Sequence, residues 1–378
     1  MDFAVANMRF ALIGNAATPM CNFRLPLIED IVARGHDVVA LAPDYTDAQR
    51  AAIIAAGATP VDYPLARTGL NPLTDLKNML VLAGRLRALA PGGVLCFGIK
   101  PATLGLCAAK LANIPARYAL ITGLGYAFTE DGKASWKRKL VGAAARLLYR
   151  HALRQAQVVF MQNPDDADTF VDLKIVRREK TVVVNGTGVR LADWPPALPV
   201  TDPVTFLLAA RLLRDKGVLD YVAAARAVKV DYPQARFILA GGTDTNPEAI
   251  SREQVAEWVV EGVIEWPGHV DMRSCLPHVS VFVLPSYREG VPRSSQEAMA
   301  MGRAIITTDV PGCRETVIDG VNGYLIPVRD SNALATAMRK FLARPDDIGG
   351  MGRASRAYAE KKFDAADINA KMIAHMAL

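Results

Sequence analysis

The chain alternates two kinds of apolar pattern. Short unbroken apolar runs occupy residues 9–14 (RFALIG), 37–42 (DVVALA), 58–61, 93–97, 116–121, 158–162 and 181–184. A run without polar alternation predicts a strand buried on both faces, as in a parallel sheet. Between the runs, residues 24–34, 47–56, 76–90, 103–111, 135–155 and 164–171 place apolar side chains at helical spacing, and Gly35 stops the first of these helices. Regular alternation of the two predicts a parallel sheet covered by helices on both faces. Residues 186–203 (GTGVRLADWPPALPVTDP) hold four prolines and no periodicity, so they read as a linker. The alternation then restarts. Strands are expected at 204–210, 235–240, 263–266, 279–285 (VSVFVLP), 304–308 and 323–327, with helices between and after them. The expected fold class is therefore α/β, with two Rossmann-like doubly wound domains, 1–188 and 189–361. The last helix, from about 362 to 378, packs back on the first domain. Ligands of such sheets bind in the crevice at the carboxyl ends of the strands.

Length and composition agree with this picture. A chain of 378 residues suits two domains, and its 51% apolar content suffices for two cores. No apolar run reaches eighteen residues, so no spanning helix is expected. The start (MDFAVANMRFALIG) does not read as a signal peptide, because Asp2 precedes any basic residue; this points to the cytosol. The five cysteines are scattered without a CxxC pair, and neither a disulfide framework nor a zinc site is expected.

Charge adds a partner. Residues 1–190 hold 23 Lys+Arg against 15 Asp+Glu, whereas residues 191–378 hold 21 against 23. The excess peaks at 132–164, with seven basic residues and no acid. Lys133, Lys137, Arg138, Lys139, Arg146, Arg150 and Arg154 share one helix with Trp136, Leu140, Leu147, Leu148 and Tyr149. That mixture suits attachment to an anionic bilayer, the competing reading being a core helix with a solvated basic side. No aromatic platform or helix-turn-helix supports a nucleic-acid partner.

The densest chemical signal is residues 287–302 (YREGVPRSSQEAMAMG), after the apolar run 279–285. Glu289 lies in the loop at a strand's carboxyl end, and Glu297 is expected in the first turn of the following helix. Gly290, Val291, Pro292, Arg293 and Ser294 form a loop whose N–H groups open onto that helix start, where phosphate binds. A carboxylate such as Glu297 can accept hydrogen bonds from both hydroxyls of a ribose. Arg211 and Lys216 (ARLLRDKG) leave the domain's first strand and can reach one anion, which stabilises a departing nucleoside diphosphate without a metal. Arg214 between them reads as surface.

Fainter signals lie elsewhere. Gly14 opens the first strand-to-helix loop (GNAATPMCNFR), which also carries Asn22 and Arg24. Lys100 stands past the fourth strand, Thr122 and Gly123 past the fifth, and His269 past the strand at 263–266. Asp166 and Asp168 spell a DxD, but after Asn163-Pro164 a capping role is expected. His36, His151 and His375 read as structural.

Arg211-x4-Lys216, then Pro285-Ser286-x2-Glu289-Gly290-x-Pro292-x-Ser294-x2-Glu297-Ala298-Met299-Ala300-x-Gly302, then Gly320-x-Asn322-Gly323, resembles the family 4 retaining glycosyltransferases of the GT-B fold. The resemblance implies that Arg211 and Lys216 bind the donor diphosphate, that Glu289 meets the transferred sugar and that Glu297 holds the ribose. It also implies that the loop amides bind phosphate and sugar. The reaction it implies is a front-face substitution with retention, with no cofactor or metal beyond a UDP-sugar donor. One departure stands out: where many relatives carry a His, this chain reads Phe97-Gly98-Ile99-Lys100-Pro101, so Lys100 is the candidate for positive charge there. The segments NFRLPL, IKP, ITGLGYAFT and TDVPGCRETV narrow the resemblance to the bacterial subgroup that builds lipid-linked oligosaccharides for capsule, O-antigen or protein glycosylation. That subgroup includes N-acetylgalactosaminyl- and other hexosaminyltransferases acting on undecaprenyl-diphosphate sugars. It implies transfer of a hexose or N-acetylhexosamine, with GalNAc from UDP-GalNAc in α linkage expected, to a polyprenyl-diphosphate-linked glycan. The enzyme would work at the inner face of the cytoplasmic membrane. The alternatives are a UDP-sugar 2-epimerase of the same fold and a transferase with a soluble acceptor. A nicotinamide dehydrogenase is disfavoured, because no G-x-G-x-x-G follows the first strand.

Overall fold

In the first half of the chain the apolar runs become strands β1 (Arg9–Ile13), β2 (Asp37–Leu41), β3 (Thr59–Val61), β4 (Gly93–Phe97), β5 (Ala116–Ile121), β6 (Val158–Met161) and β7 (Thr181–Val183). All pair parallel, in the order β3-β2-β1-β4-β5-β6-β7. Successive side chains of a strand point to opposite faces. On β1, Phe10 and Leu12 enter one buried cluster while Ala11 and Ile13 enter another. Leu95 and Phe97 of β4 alternate in the same way with Val94 and Cys96. The computed structural model describes residues 7–65, 71–123, 136–244, 246 and 248–378.

Helices α1 (Ala17–Ala33), α2 (Asp47–Ala55), α3 (Pro72–Leu89), α4 (Leu106–Leu111), α5 (Trp136–Leu153) and α6 (Pro164–Asp172) connect these strands. Their starts follow local chemistry. Thr46 and Gln49 form a reciprocal capping box on α2, and Asn71 and Asn163 cap α3 and α6 ahead of a proline at the first turn. The DxD acid Asp166 accepts from Asn163 Nδ2 at 3.1 Å and is buried at that cap, while Asp168 pairs with Arg178. Helix α1 departs from its expected start at residue 24. It begins at Ala17 and carries Pro26 inside, because burial of Met20, Arg24, Leu27, Ile28 and Ile31 outweighs the backbone hydrogen bond that proline removes.

The C-terminal helix Ala365–Met376 belongs to the same unit, which comprises residues up to Thr187 together with Ala365–Leu378. Its Ile368, Met372, Ile373 and Met376 join the cluster of Phe10 and Leu12. Tyr118 donates to the Met376 carbonyl at 2.8 Å, and Asn369 donates to Asp30 at 2.7 Å. This helix, α1 and α2 cover one face of the sheet; α3, α4, α5 and α6 cover the other.

The second unit, Gly188–Asp364, has strands β8 (Thr205–Ala209), β9 (Arg236–Ala240), β10 (Glu265–Gly268), β11 (Val281–Leu284), β12 (Ala304–Thr308) and β13 (Gly323–Ile326). They form a parallel sheet in the order β10-β9-β8-β11-β12-β13. Its helices are α7 (Val218–Lys229), α8 (Arg252–Val260), α9 (Met272–Cys275), α10 (Arg293–Ala300), α11 (Ser331–Ala343) and α12 (Asp346–Lys362). Helix α8 starts at Arg252, where Ser251 caps it by accepting from Gln254 N. The expected linker is also corrected. From Gly188 onward it is built into the second unit: Val189 and Trp194 are buried, and Arg356 donates to the carbonyls of Trp194 and Ala300, each at 2.7 Å. Arg303, fully buried, donates to the carbonyls of Val279, Met301 and Ala197.

In each sheet the strand order reverses direction at one point, between β1 and β4 and between β8 and β11. The loops leaving the carboxyl ends diverge there and open the crevice where such sheets bind ligands.

Candidate active site

At the second unit's switch point, the loop after β8 and the loop after β11 are pressed together by glycine. Gly217 has φ +70°, and a β-carbon on it would stand 2.1 Å from the carbonyl oxygen of Pro285. Only glycine allows both that conformation and that approach. The contact carries Lys216 to Glu289: Nζ donates to Oε1 at 2.6 Å, with the side chains only 15% and 17% exposed. Burial pulls the Lys216 ammonium down, but the Glu289 carboxylate, its hydrogen bond and Asp215 together leave it raised. The like charge of Arg211 pulls the other way, so both cations of the sequence motif bear on one place.

The Glu289 loop is gripped from its other side as well. Gly312 has φ +80°, and a β-carbon there would lie 2.2 Å from the Gly290 carbonyl and 2.3 Å from that of Glu289. Glu289 N donates to Pro311 O at 3.2 Å, and Tyr287 N donates to Asp215 O at 2.8 Å. The Tyr287 hydroxyl donates to Asp220 on α7 at 2.9 Å, and the Arg329 guanidinium stacks 4.7 Å from the Tyr287 ring centroid. Val291 is buried in the core beneath the loop. Burial pushes the neighbouring Cys313 thiol up to about 12, so it is an inert filler beside Glu289.

Helix α10 opens where this loop ends. Pro292 occupies the N-cap position and no side chain caps the helix, so the first-turn amides from Arg293 and Ser294 onward lack a capping acceptor. Glu297 is not in the first turn, as the sequence pattern suggested. The helix begins at Arg293, one turn earlier, which sets Glu297 to pair back with it at 2.9 Å. Arg293 also donates to the Gly188 carbonyl. Burial raises the Glu297 carboxyl above its ordinary value, against the pull of Arg293 and, more weakly, Arg273. The two acids thus have separate partners, Lys216 for Glu289 and Arg293 for Glu297.

Arg211 keeps an exposed guanidinium, 3.3 Å from Asp244 in the loop after β9. His269 is exposed immediately after β10, where Gly268 O accepts from Gly241 N at 2.7 Å. The partners Asp244, Asp215, Asp220 and Arg273 were not singled out from the sequence. Only Asp244 had a visible cue, the Gly241-Gly242 pair ending the apolar run of β9.

The first unit's switch point is quieter. Gly14 O accepts from the buried Tyr63 hydroxyl at 2.7 Å, and Phe97 lies against the Gly14 backbone. The Arg24 guanidinium is buried 5.0 Å from the Phe97 ring centroid, while Asn22 sits on the exposed side of α1. Lys100 comes with a counter-ion: it donates to Asp75 of α3 at 2.8 Å, with 15% and 17% of the side chains exposed. Thr122 and Gly123 follow β5, Thr122 exposed. Lys133 lies outside the described residues. Trp136, Lys137, Arg138 and Lys139 fall in α5, with their side chains outside the described ones, and Arg146 is half-buried further along it. Among the described residues, no three His, Cys, Asp or Glu side chains stand close enough to hold a metal ion.

Two parallel, doubly wound units, the second with an Arg/Lys loop and an Glu-bearing loop at its switch point, define a recognisable class of enzyme, and comparison with known proteins agrees. Residues 24–186 match the glycosyl transferase 4-like domain, and residues 203–344 match the glycosyl transferases group 1. The chain is 30% identical to the N,N'-diacetylbacillosaminyl-diphospho-undecaprenol alpha-1,3-N-acetylgalactosaminyltransferase of Campylobacter jejuni, over 87% of this chain and 88% of that protein. Among solved structures, sucrose-phosphate synthase from Thermosynechococcus elongatus superposes with a TM-score of 0.78 at 19% identity, covering 97% of each chain. HepE of Anabaena in complex with UDP gives 0.77 at 16% identity, covering 98% of this chain and all of that one. The chain belongs to the glycosyltransferases of the GT-B fold.

Proposed function

We propose that the protein is a retaining transferase, independent of bound metal, that moves an N-acetylhexosamine from a UDP-sugar to a sugar carried on a polyprenyl diphosphate. UDP-GalNAc is the donor proposed, with an α linkage formed. The observation that carries this is the buried Lys216–Glu289 pair at the switch point, with Arg211 beside it. A departing UDP gains negative charge as the glycosidic bond breaks, and fixed cations in a partly dehydrated site stabilise it. Lys216 has three N–H donors and gives one to Glu289, leaving others for a phosphate oxygen. Arg211 offers a planar fork to the same diphosphate. The uncapped start of α10 supplies amides and a favourable dipole to the donor's phosphates. Glu289, held by Lys216, then faces the transferred sugar, and Glu297 receives the ribose hydroxyls. The leaving phosphate takes the proton of the acceptor hydroxyl on the same face of the sugar.

The choice of donor and acceptor draws on the Campylobacter relative, whose name specifies N-acetylgalactosamine transfer to an undecaprenol-linked sugar, and on the UDP bound by a structural neighbour. A lipid-carried acceptor places the enzyme at the inner face of the cytoplasmic membrane, with the basic helix α5 toward anionic headgroups. The test is UDP release from UDP-GalNAc with and without a polyprenyl-diphosphate-linked saccharide, with the anomeric configuration of the product read by NMR. Lipid-dependent release with an α product is expected. A free epimer formed without lipid would instead make the protein an epimerase of the same fold.

A further inference from the structure

The two helix layers of the first unit differ in what they show to solvent. On the layer of α1, α2 and the C-terminal helix, Ile54 is the one large hydrophobic side chain exposed among the described residues. On the layer of α3 to α6 there are eight: Leu73, Leu76, Leu80 and Val81 on α3, Leu111 on α4, Leu147 and Leu148 on α5, and Leu173 just past α6. Single exposed leucines are ordinary on a soluble protein; a cluster on one side is not. The α3 residues are the most exposed group, with Leu73 at 78%, Leu76 at 50% and Leu80 at 54%. Their spacing puts all three on one stripe of the helix. Leu82, Ala83 and Leu86 fill the adjoining side and face the core. The apolar surface of α3 thus runs past the core side onto a stripe left exposed among the described residues.

Charge is divided in the same way. Helices α3 to α6 hold nine Lys/Arg and five Asp/Glu, whereas the opposite layer holds three against four. Two of the five acids are already neutralised, Asp75 by Lys100 and Asp168 by Arg178. Where α5 and α6 end, a cavity of about 680 Å³ is lined by Arg154, Lys174, Arg177 and Lys180, with Glu179 paired to Arg177, above an apolar floor that includes Ile175 and Val176. Exposed leucines on a layer with an excess of cations match an interface of acyl chains and anionic headgroups. No described helix is long and apolar enough to cross a membrane, so the contact would be lateral.

We propose that the outer side of the α3–α6 layer rests on an anionic bilayer, with Leu73, Leu76, Leu80 and Val81 of α3 as its apolar contact. This rests on the reading of a lipid-carried acceptor and adds to it. The apolar stripe begins beside Asp75, which pairs with Lys100 just past β4, so it starts at the carboxyl end of the sheet, where an acceptor would dock. The contact thus holds the enzyme at the depth of the carrier's diphosphate.

The experiment is co-sedimentation of the full chain with vesicles of phosphatidylglycerol and phosphatidylethanolamine, and with phosphatidylcholine alone. The triple variant Leu73→Gln, Leu76→Gln, Leu80→Gln changes only exposed positions and should unfold at the wild-type temperature. Its binding to the anionic vesicles should fall at least tenfold, while transfer to a short-chain acceptor in detergent stays unchanged. Unaltered vesicle binding by the variant would overturn the proposal. So would light scattering that shows a wild-type dimer dissolved by the three changes, because a second copy would then cover the stripe. The two readings fail separately. Transfer to short-chain acceptors by an enzyme that ignores vesicles removes the surface alone. Leucine-dependent vesicle binding without transfer to any lipid acceptor removes the transferase reading alone.

Discussion

Each unit keeps one lysine–carboxylate pair beside its switch point, and the two pairs are almost identical as physical objects. Lys100–Asp75 spans 2.8 Å and Lys216–Glu289 spans 2.6 Å, with matching side-chain exposures of 15% and 17%. Their surroundings differ. Lys100 and Asp75 join a strand end to the helix before it, with Ile99 and the α3 leucines nearby. Lys216 and Glu289 sit between two loops clamped by Gly217 and Gly312, with a second cation acting on the lysine and an uncapped helix start just beyond. Burial and pairing alone therefore do not mark chemistry. What distinguishes the second pair is the convergence of unspent donors around it.

The sharpest way to separate the pairs is to break each one. Glu289→Gln should lower kcat at least about a hundredfold with UDP affinity nearly unchanged, the size expected when one fixed charge facing a transition state is removed. Asp75→Asn, measured in the same steady-state assay, should leave the donor KM within twofold and alter only the acceptor KM. Equal losses in both variants would erase the functional difference between the pairs.

Stability should treat the pairs alike. Lys216→Met and Lys100→Met each strand a mostly buried carboxylate, and each should cost about 3 kcal/mol in denaturant unfolding. A Lys216→Met protein as stable as wild type would mean that Glu289 is already served by water or another donor. Gly312→Ala tests the clamp itself. It adds a methyl group against two carbonyls at a positive φ, so it should cost about 2 kcal/mol and depress turnover as the loop shifts. No comparable glycine holds Lys100 among the contacts described.

The smallest effect concerns Glu297. Its folded carboxyl sits above the ordinary 4.5, so between that value and the raised one the folded state keeps a proton that the unfolded chain has lost. Stability should therefore fall as pH rises through this window, and Glu297→Gln should flatten the fall. Over the same window, UDP affinity measured by calorimetry should rise with pH, as the carboxylate that accepts the ribose hydroxyls ionises. A wild-type stability curve parallel to that of Glu297→Gln would refute the assignment.

Much of this was legible in the sequence. Unbroken apolar runs located the central strands such as β4, β8 and β11, because a strand buried on both faces has no polar position to obscure it; the half-exposed β10 begins two residues past the start of its expected run. Arg211, Lys216, Glu289 and Glu297 stood out because each lies in or just after the connection leaving a strand's carboxyl end, at motif spacing. Pairings across the fold were not legible. Nothing near Lys100 in the chain points to Asp75, and nothing near Tyr287 points to Asp220. Local preference also misled where packing won. The pattern put the first helix at residues 24–34, and the buried side chains of α1 carried its start back to Ala17. Four prolines argued for a free linker, yet Val189 and Trp194 are core residues. The α3 leucines hid for the opposite reason: they flank a polar stripe of Thr74, Lys77, Asn78 and Arg85 and read as an extension of the core side.

The C-terminal helix sets an order of events. Ile368, Met372, Ile373 and Met376 seal the cluster that holds Phe10 and Leu12 of the very first strand. That helix is synthesised only after the whole of Gly188–Asp364, so the unit begun first is completed after the second. Until then Phe10, Tyr118 and Phe160 lack their cover, and the nascent first unit is exposed to chaperones and to aggregation while the second unit can already close on itself. Cutting the chain after residue 364 would remove Ala365–Leu378, yet its damage should fall on the unit that begins with β1.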